Sequence, residues 1–285
     1  MDWQKHAEQA HRRKIFQSRA GFSLRLFLGV FFVSPLFIAA LFSFVPNELL
    51  DQTPNLKLFL SNLTFENYSW VFKNVPIIRF IFNSLVICVI VICVQVMVSS
   101  LSAYAFSFFN FPGKKFFFNL ILVAMMIPGQ VVTIANFLLI QDMGLLNSYL
   151  GLVLPYLISG SSVFLMRQYY LQLPRELKEA SEIDGCSDMR FLFVIAMPLA
   201  VPTIAALAIR LFIDCFNWYF WPLLVGQKEN MYTLQIGMRM LVAEDATQYG
   251  RILAGAVISI VIPAITYIIG QDYIIKGMTA GSVKG

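Results

Sequence analysis

Six stretches of almost unbroken apolar residues divide the chain, at about 26–45, 80–108, 116–139, 149–166, 199–224 and 252–271. A helix needs about 20 apolar residues to cross about 30 Å of hydrocarbon, so each stretch is long enough to span a bilayer. None alternates as a half-buried strand would, and the pattern predicts an all-α polytopic membrane protein with six transmembrane helices. The first stretch is longer than the apolar core of a signal peptide, and "SFVPNELLDQ" after it is a poor cleavage site, so it reads as a retained span. Prolines punctuate the later spans at Pro128, Pro155, Pro198, Pro202 and Pro263. Each removes a helix hydrogen bond and predicts a kink, with "IPG" at 127–129 the strongest break.

Composition agrees with the pattern. Of 285 residues 58% are hydrophobic and 13% charged, against roughly 25% charged in soluble domains. The net charge of +5 matters through its sidedness. Lys5, Arg12, Arg13, Lys14, Arg19, Lys114, Lys115, Arg167, Arg175, Lys178, Arg190, Lys276 and Lys284 fall on one side of the six-span arrangement. Lys57, Lys73, Arg79, Lys228, Arg239 and Arg251, mixed with acidic residues, fall on the other. The positive-inside rule therefore puts both termini in the cytoplasm, and the even span count agrees. The division is a cytoplasmic segment at 1–24, a membrane domain at 25–272 and a cytoplasmic tail at 273–285. On the outer side, "LTFENYSWVF" predicts a short surface helix, and 226–250 is polar enough to rest on the outer face. Trp218, Tyr219 and Trp221 suit an aromatic belt. Cys88, Cys93, Cys186 and Cys215 lack metal-site spacing and read as small buried hydrophobes.

One segment breaks the apolar rhythm, "RELKEASEIDGCSDMRFLFVIAMPLAVP" at 175–202. Pro174 suits a first helical position, "RELKEASEID" supplies helix formers, and Gly185 can stop the helix in a left-handed cap. Ser187 can then cap a second helix from Asp188 toward Pro198. Leu177, Ala180, Ser181 and Asp184 form one stripe whose small residues let another surface approach. The same features fit an amphipathic loop on lipid headgroups, with Arg175, Lys178 and Arg190 toward the lipid, because periodicity shows a face but names no partner.

Glu179, Ala180, Gly185, Ile195 and Pro198 reproduce the spacing of the EAA loop in membrane subunits of ATP-binding-cassette importers, and "EASEIDGCSD" resembles its carbohydrate-importer wording. "YAFSFFNFPGKK", "MMIPGQVV", "GLLNSYLGLVLPY", "RQYYLQLPREL", "FNWYFWPLL", "YTLQIG" and "GMTAGSVKG" extend the resemblance from Tyr104 to Gly285. Ser181 and Met197 depart from the usual alanine and leucine. The resemblance implies a bacterial cytoplasmic-membrane permease whose two-helix coupling loop, 172–198, sits in a cleft of a cytoplasmic ATPase. Arg175, Glu176, Glu179, Ala180, Ser181, Asp184, Gly185 and Asp188 would form that contact, and the tail would lie against the ATPase pair, as in the maltose importer's smaller membrane subunit. It also implies a second homologous permease subunit, two ATPase subunits that use ATP and Mg, and an extracytoplasmic solute-binding protein. The cargo would be a sugar, a related polyol or sn-glycerol 3-phosphate.

No GxxxxGK[ST] loop occurs, so ATP hydrolysis is not expected of this chain. No catalytic constellation, cofactor motif or metal-ligand spacing appears, and membrane lipid rather than nucleic acid is the expected surroundings; His6 and His11 lie in the basic amino-terminal segment. Intramembrane polar groups are the candidates for the passage. Arg210 and Asp214 are four residues apart and can pair as a structural bridge or line a pathway. Asn83, Gln130, Asn136 and Asn217, with Gln95 and Asn119, offer amides for sugar hydroxyls or for bonds between helices. A secondary transporter driven by an ion gradient is the rival class, with Asp214 its best carboxylate.

Overall fold

The computed structural model describes residues 2–50, 56–244 and 248–279; for 2–20, 56, 243–244 and 274–279 it describes the backbone alone. The expected tail beyond Thr279 lies outside the described residues. All regular structure among the described residues is helical. Gly21–Phe42, Ile77–Phe108 and Tyr249–Tyr273 are each long and apolar enough to cross a membrane, and three bent pairs raise the number to six when each pair is one span.

The bends fall where proline chemistry predicts them. Lys114–Met125 and Gly129–Asp142 meet at 97° across Pro128, which caps the second helix in extended conformation with ψ 129°. The 116–139 stretch is thus two helices and not one straight span. Tyr149–Tyr156 and Gly160–Tyr170 meet at 52°, beyond Pro155. Asp188–Leu199 and Val201–Phe216 meet at 76° at Ala200, which lies between Pro198 and Pro202. Leu192–Ala196 is wound as a π-helix just before that corner, a local insertion that often marks functional helices. Pro263 sits inside the continuous Tyr249–Thr279 helix, so the kink expected there is not a break.

The described residues fall into two compact units, those within 1–71 and 245–257 and those within 72–244 and 258–285. In the first, the Asp2–Phe42 helix leads into a polar knot. The Asn67 amide donates to the carbonyls of Ser43 and Val45 at 2.9 and 2.8 Å and accepts from Asn47 at 3.0 Å. Arg251 lies 4.1 Å over the Trp70 ring. The predicted surface helix appears as Glu66–Asn74.

In the second unit the Ile77–Phe108 helix is central, packed by Gly160–Tyr170 and Val201–Phe216. Its sequence is apolar all round, yet burial follows helical periodicity: Phe80, Ile87, Val91, Ala103 and Tyr104 are inside, while Ile78, Phe82 and Val89 are open. Val163, Met166 and Tyr170 face it from one neighbour and Leu207 and Leu211 from the other. The 226–250 segment is more than a resting loop, because Leu234–Glu244 forms a helix with Leu234, Ile236 and Leu241 buried. At Gly237 an added Cβ would lie 2.2 Å from the Phe80 ring, a close approach that only glycine permits. Trp221 is core rather than belt; it is 4% exposed and donates its indole N–H to the Leu152 carbonyl at 2.9 Å. Of the cysteines, Cys88 and Cys215 are buried, whereas Cys93 is exposed and Cys186 half-buried.

Candidate functional site

The polar hairpin has the local grammar its residues dictate. Pro174 is the N-cap, with ψ 133°, one residue earlier than the expected first helical position, and the helix runs Arg175–Ile183. It ends in a Schellman arrangement: Gly185 adopts φ 72°, its N–H donates to Glu182 O at 3.0 Å, and the Cys186 N–H donates to Ser181 O at 2.8 Å. Ser187 then caps Asp188–Leu199 by accepting from the Arg190 N–H at 3.4 Å. Both signals, a glycine after a helix-forming run and a serine before the next, are local. They are therefore readable without tertiary information.

The faces of the hairpin depart from the expected stripe. Ser181 is 5% exposed and bonds back to Lys178 O, so it faces the chain's own body. The open side carries Arg175, Glu176, Glu179, Ala180, Asp184 and, missed by the sequence reading, Ile183 at 87% exposure. An apolar side chain so exposed between Glu182 and Asp184 is a candidate for covering by a partner. A cleft of about 290 Å³ at the base of the hairpin is lined by Lys114, Arg175, Lys178, Glu179 and Glu182 among others.

Asp188 is half-buried, its side chain 46% exposed, and it bonds toward the chain's own body through one oxygen. Its Oδ1 accepts from the Tyr104 hydroxyl at 2.9 Å and from Lys178 Nζ at 2.8 Å. Lys178 holds Glu182 at 2.9 Å as well and lies 5.2 Å from the centre of the Phe191 ring. Burial alone would lower the Lys178 pKa, but the hydrogen bonds to Asp188 and Glu182 outweigh it and hold the ammonium above the ordinary lysine value. Tyr104 is 1% exposed and packs with Phe108, Phe109 and Phe191 at centroid distances of 5.1, 5.3 and 6.1 Å. From sequence Tyr104 has no assigned role, and Lys178 figures only as a cytoplasmic-side or headgroup-facing charge. The i,i+4 spacing of Lys178 and Glu182 was the one available signal.

The intramembrane polar residues separate into two sets. Asn83 has no exposed surface; its amide donates to the carbonyls of Asn230 and Tyr232 at 2.9 and 2.8 Å and accepts from the Tyr149 hydroxyl at 2.6 Å. It ties three segments together with no surface open to a passage, which is the bonding between helices that the sequence left open beside the pathway role. Gln95 is likewise enclosed, between Tyr156 O and Ser162 Oγ. Arg210, Asp214 and Asn217 instead form an i, i+4, i+7 stripe on an open face of the fifth span. The Arg210 and Asp214 side chains are 51% and 61% exposed, with Nε and Oδ2 4.0 Å apart, so this is no enclosed structural bridge. Arg210 also donates to Ser161 Oγ at 3.0 Å, and Gln235 donates to Asn217 Oδ1 at 3.3 Å. Charges left open on a spanning helix face water or another protein, because hydrocarbon excludes them. Gln130 is exposed at the start of Gly129–Asp142, and Asn136 is half-buried on the same helix.

Comparisons with known proteins agree with this architecture. Residues 95–279 match the family profile described as binding-protein-dependent transport system inner membrane component. The arabinooligosaccharides transport system permease protein AraQ of Halalkalibacterium halodurans is 36% identical over 93% of this chain and 95% of its own. The sn-glycerol-3-phosphate transport system permease protein UgpE of Brucella suis is 32% identical over 90% and 94%. Among solved structures, a chain of a bacterial ABC transporter involved in the import of the acidic polysaccharide alginate superposes with a TM-score of 0.78 at 23% identity, covering 89% of this chain and 95% of that one, which shows a shared fold. Permease subunits of this kind are non-catalytic membrane components. With two thirds of its length inside the family profile and full-length relatives above 30% identity, the chain belongs to the family of binding-protein-dependent transport system inner membrane components and is a permease subunit of an ATP-binding-cassette importer.

Proposed function

We propose that the chain pairs with a second, related permease to enclose a passage for a sugar or related polyol, driven by two cytoplasmic ATPase subunits and supplied by an extracytoplasmic solute-binding protein. In this reading both termini and the hairpin are cytoplasmic. Residues 25–272 form the membrane domain with the coupling loop at 172–198, flanked by cytoplasmic segments 1–24 and 273–285. The ATPases, using ATP and Mg, grip the hairpin through Arg175, Glu176, Glu179, Ala180, Ile183 and Asp184. Gly185 makes the corner, and closure of the ATPases moves the spans between outward- and inward-facing states.

One observation carries the reading: the hairpin is open on one side, with Ile183 87% exposed, and bonded into the second unit's core on the other. That is the shape of an element which receives force from a partner. A loop lying on headgroups needs no such inner bonds.

The open stripe of Arg210, Asp214 and Asn217 is the proposed wall of the passage, with Gln130 and Asn136 as further candidates. The Asn217 amide, with those of Gln130 and Asn136, suits sugar hydroxyls, and the Arg210 guanidinium faces Asp214 at 4.0 Å. This favours a neutral carbohydrate over the phosphate dianion for which some relatives are named.

The test is uptake by proteoliposomes holding the assembled importer and its binding protein. Uptake should require ATP on the cytoplasmic side, survive an uncoupler, and be lost when Ile183→Cys is cross-linked to an ATPase subunit. Uptake that is independent of ATP and abolished by the uncoupler would overturn the reading in favour of a gradient-driven transporter.

A further inference from the structure

We infer that Asp188 is a positioning residue for energy transfer: with Tyr104 and Lys178 it latches the coupling hairpin to the Ile77–Phe108 span, so that force on the hairpin reaches the membrane domain. The inference rests on the reading of the hairpin as the ATPase contact and goes beyond it, because the half-buried Asp188 acts here through its bonds to Tyr104 and Lys178 of the same chain.

The two ends of the Arg175–Ile183 helix are poor transmitters by themselves. At one end the chain turns through extended Pro174. At the other it turns through Gly185, whose φ of 72° is open to glycine and which has no atom within 4 Å of an added Cβ to brace it. A nine-residue helix held only by these ends would swing when pushed. The Asp188 carboxylate removes that freedom by joining three elements. Lys178 Nζ reaches it from the first hairpin helix at 2.8 Å, across the glycine corner. The Tyr104 hydroxyl reaches the same oxygen from the central span at 2.9 Å. Asp188 itself begins the second hairpin helix, which continues through the π-wound Leu192–Ala196 to the corner at Ala200. The tyrosine ring is fixed among Phe108, Phe109 and Phe191, so its hydroxyl is a stationary post. Lys178 is 12% exposed and thus tied on the inner side of the hairpin, away from the open face. Charge-assisted bonds of this kind are the strong ones, and they hold a defined geometry.

The test uses the complete importer, with its partner permease, ATPases and binding protein, in proteoliposomes. The reading is the number of ATP molecules hydrolysed per substrate molecule taken up. Asp188→Ala removes both bonds and should raise that ratio roughly tenfold with the complex still assembled; Tyr104→Phe, which keeps the ring, should raise it less. Asp188→Glu should return it toward wild type. A residue needed only for folding lowers hydrolysis and uptake together and leaves the ratio unmoved. Wild-type ratios in assembled Asp188→Ala and Tyr104→Phe complexes overturn the inference. Should Asp188→Ala fail to assemble, Tyr104→Phe alone decides. Gly185→Val serves as the control for the underlying reading. If it also leaves the ratio and uptake unchanged, the hairpin is not the coupling element. If it impairs them while the latch variants do not, only the latch fails.

Discussion

Gly185 offers the sharpest test of whether hairpin geometry controls transport. Its φ of 72° lies in the left-handed region, and a Cβ added there meets nothing within 4 Å. Within the chain the penalty of substitution is therefore backbone strain alone, roughly 1–2 kcal/mol for an ordinary L-residue. Such a change shifts an equilibrium about 5–30-fold, here between the corner with its bonds from Gly185 to Glu182 and Cys186 to Ser181 and an opened hairpin. Asparagine tolerates this region better than alanine, and a β-branched valine tolerates it least. Uptake by the reconstituted importer should thus fall in the order Gly, Asn, Ala, Val, with assembly followed by co-purification of the ATPases. Uptake that ignores the substitution, or an asparagine variant as defective as valine, would refute the argument. The second result would mean that side-chain bulk against a partner governs the position instead of backbone conformation.

Other outcomes follow from the same structure. Asn83→Leu keeps the volume but strands the Tyr149 hydroxyl and the carbonyls of Asn230 and Tyr232; at about 1–3 kcal/mol for each buried group left unpaired, the purified complex should melt at a clearly lower temperature while substrate preference stays the same. Arg210→Met should change stability by less than about 0.5 kcal/mol, as for other open positions, but reduce uptake several-fold at unchanged complex abundance. In a background without the native cysteines, Asn217→Cys should react with a membrane-impermeant maleimide faster than Val261→Cys, whose parent residue is 44% exposed on an apolar helix; equal rates would remove the open stripe from the passage. Because the Lys178 pKa is raised, its contribution is fully present below the unfolded value of about 10.4 and is lost only as pH rises through the higher folded value. The ratio of ATP hydrolysed to substrate transported should therefore stay flat between about pH 6 and 9.

What was legible in the sequence was local. Apolar length gave the spans, proline positions gave three of the bends, and the order of helix formers, Gly185 and Ser187 gave the hairpin with its caps. What was not legible depended on partners far away along the chain. Tyr104 and Asp188 are 84 residues apart, Asn83 reaches carbonyls 147 and 149 residues on, and Trp221 bonds one 69 residues back. In a chain this apolar, the hydrophobic pattern does not tell which face of a helix meets protein and which meets lipid. An asparagine that braces the fold and one that lines a passage then look alike. The same ambiguity put Ser181 on the partner-facing side when its side chain turns inward.

The contrast between the two sets of intramembrane polar groups is itself a functional argument. Asn83 and Gln95 show that this fold can enclose amides and satisfy them within one chain. Leaving Arg210 and Asp214 half open is therefore not forced by a shortage of internal partners. A charge at the centre of a spanning helix costs about 2.5–3.5 kcal/mol on insertion scales, and the weak 4.0 Å approach of this pair offsets little of that. Such a cost is tolerated when the open face meets water or a second protein, and the proposed pairing with a related permease supplies both. The latch at Asp188 then has a counterpart at the other end of the same path. In the proposed reading, force that enters at Ile183 crosses a carboxylate tied to the central span, follows the π-wound helix to the bend at Ala200, and arrives on the helix that carries the open stripe. On that reading, a rigid entry and a bent exit on one continuous segment convert closure of a partner into movement of the proposed passage wall.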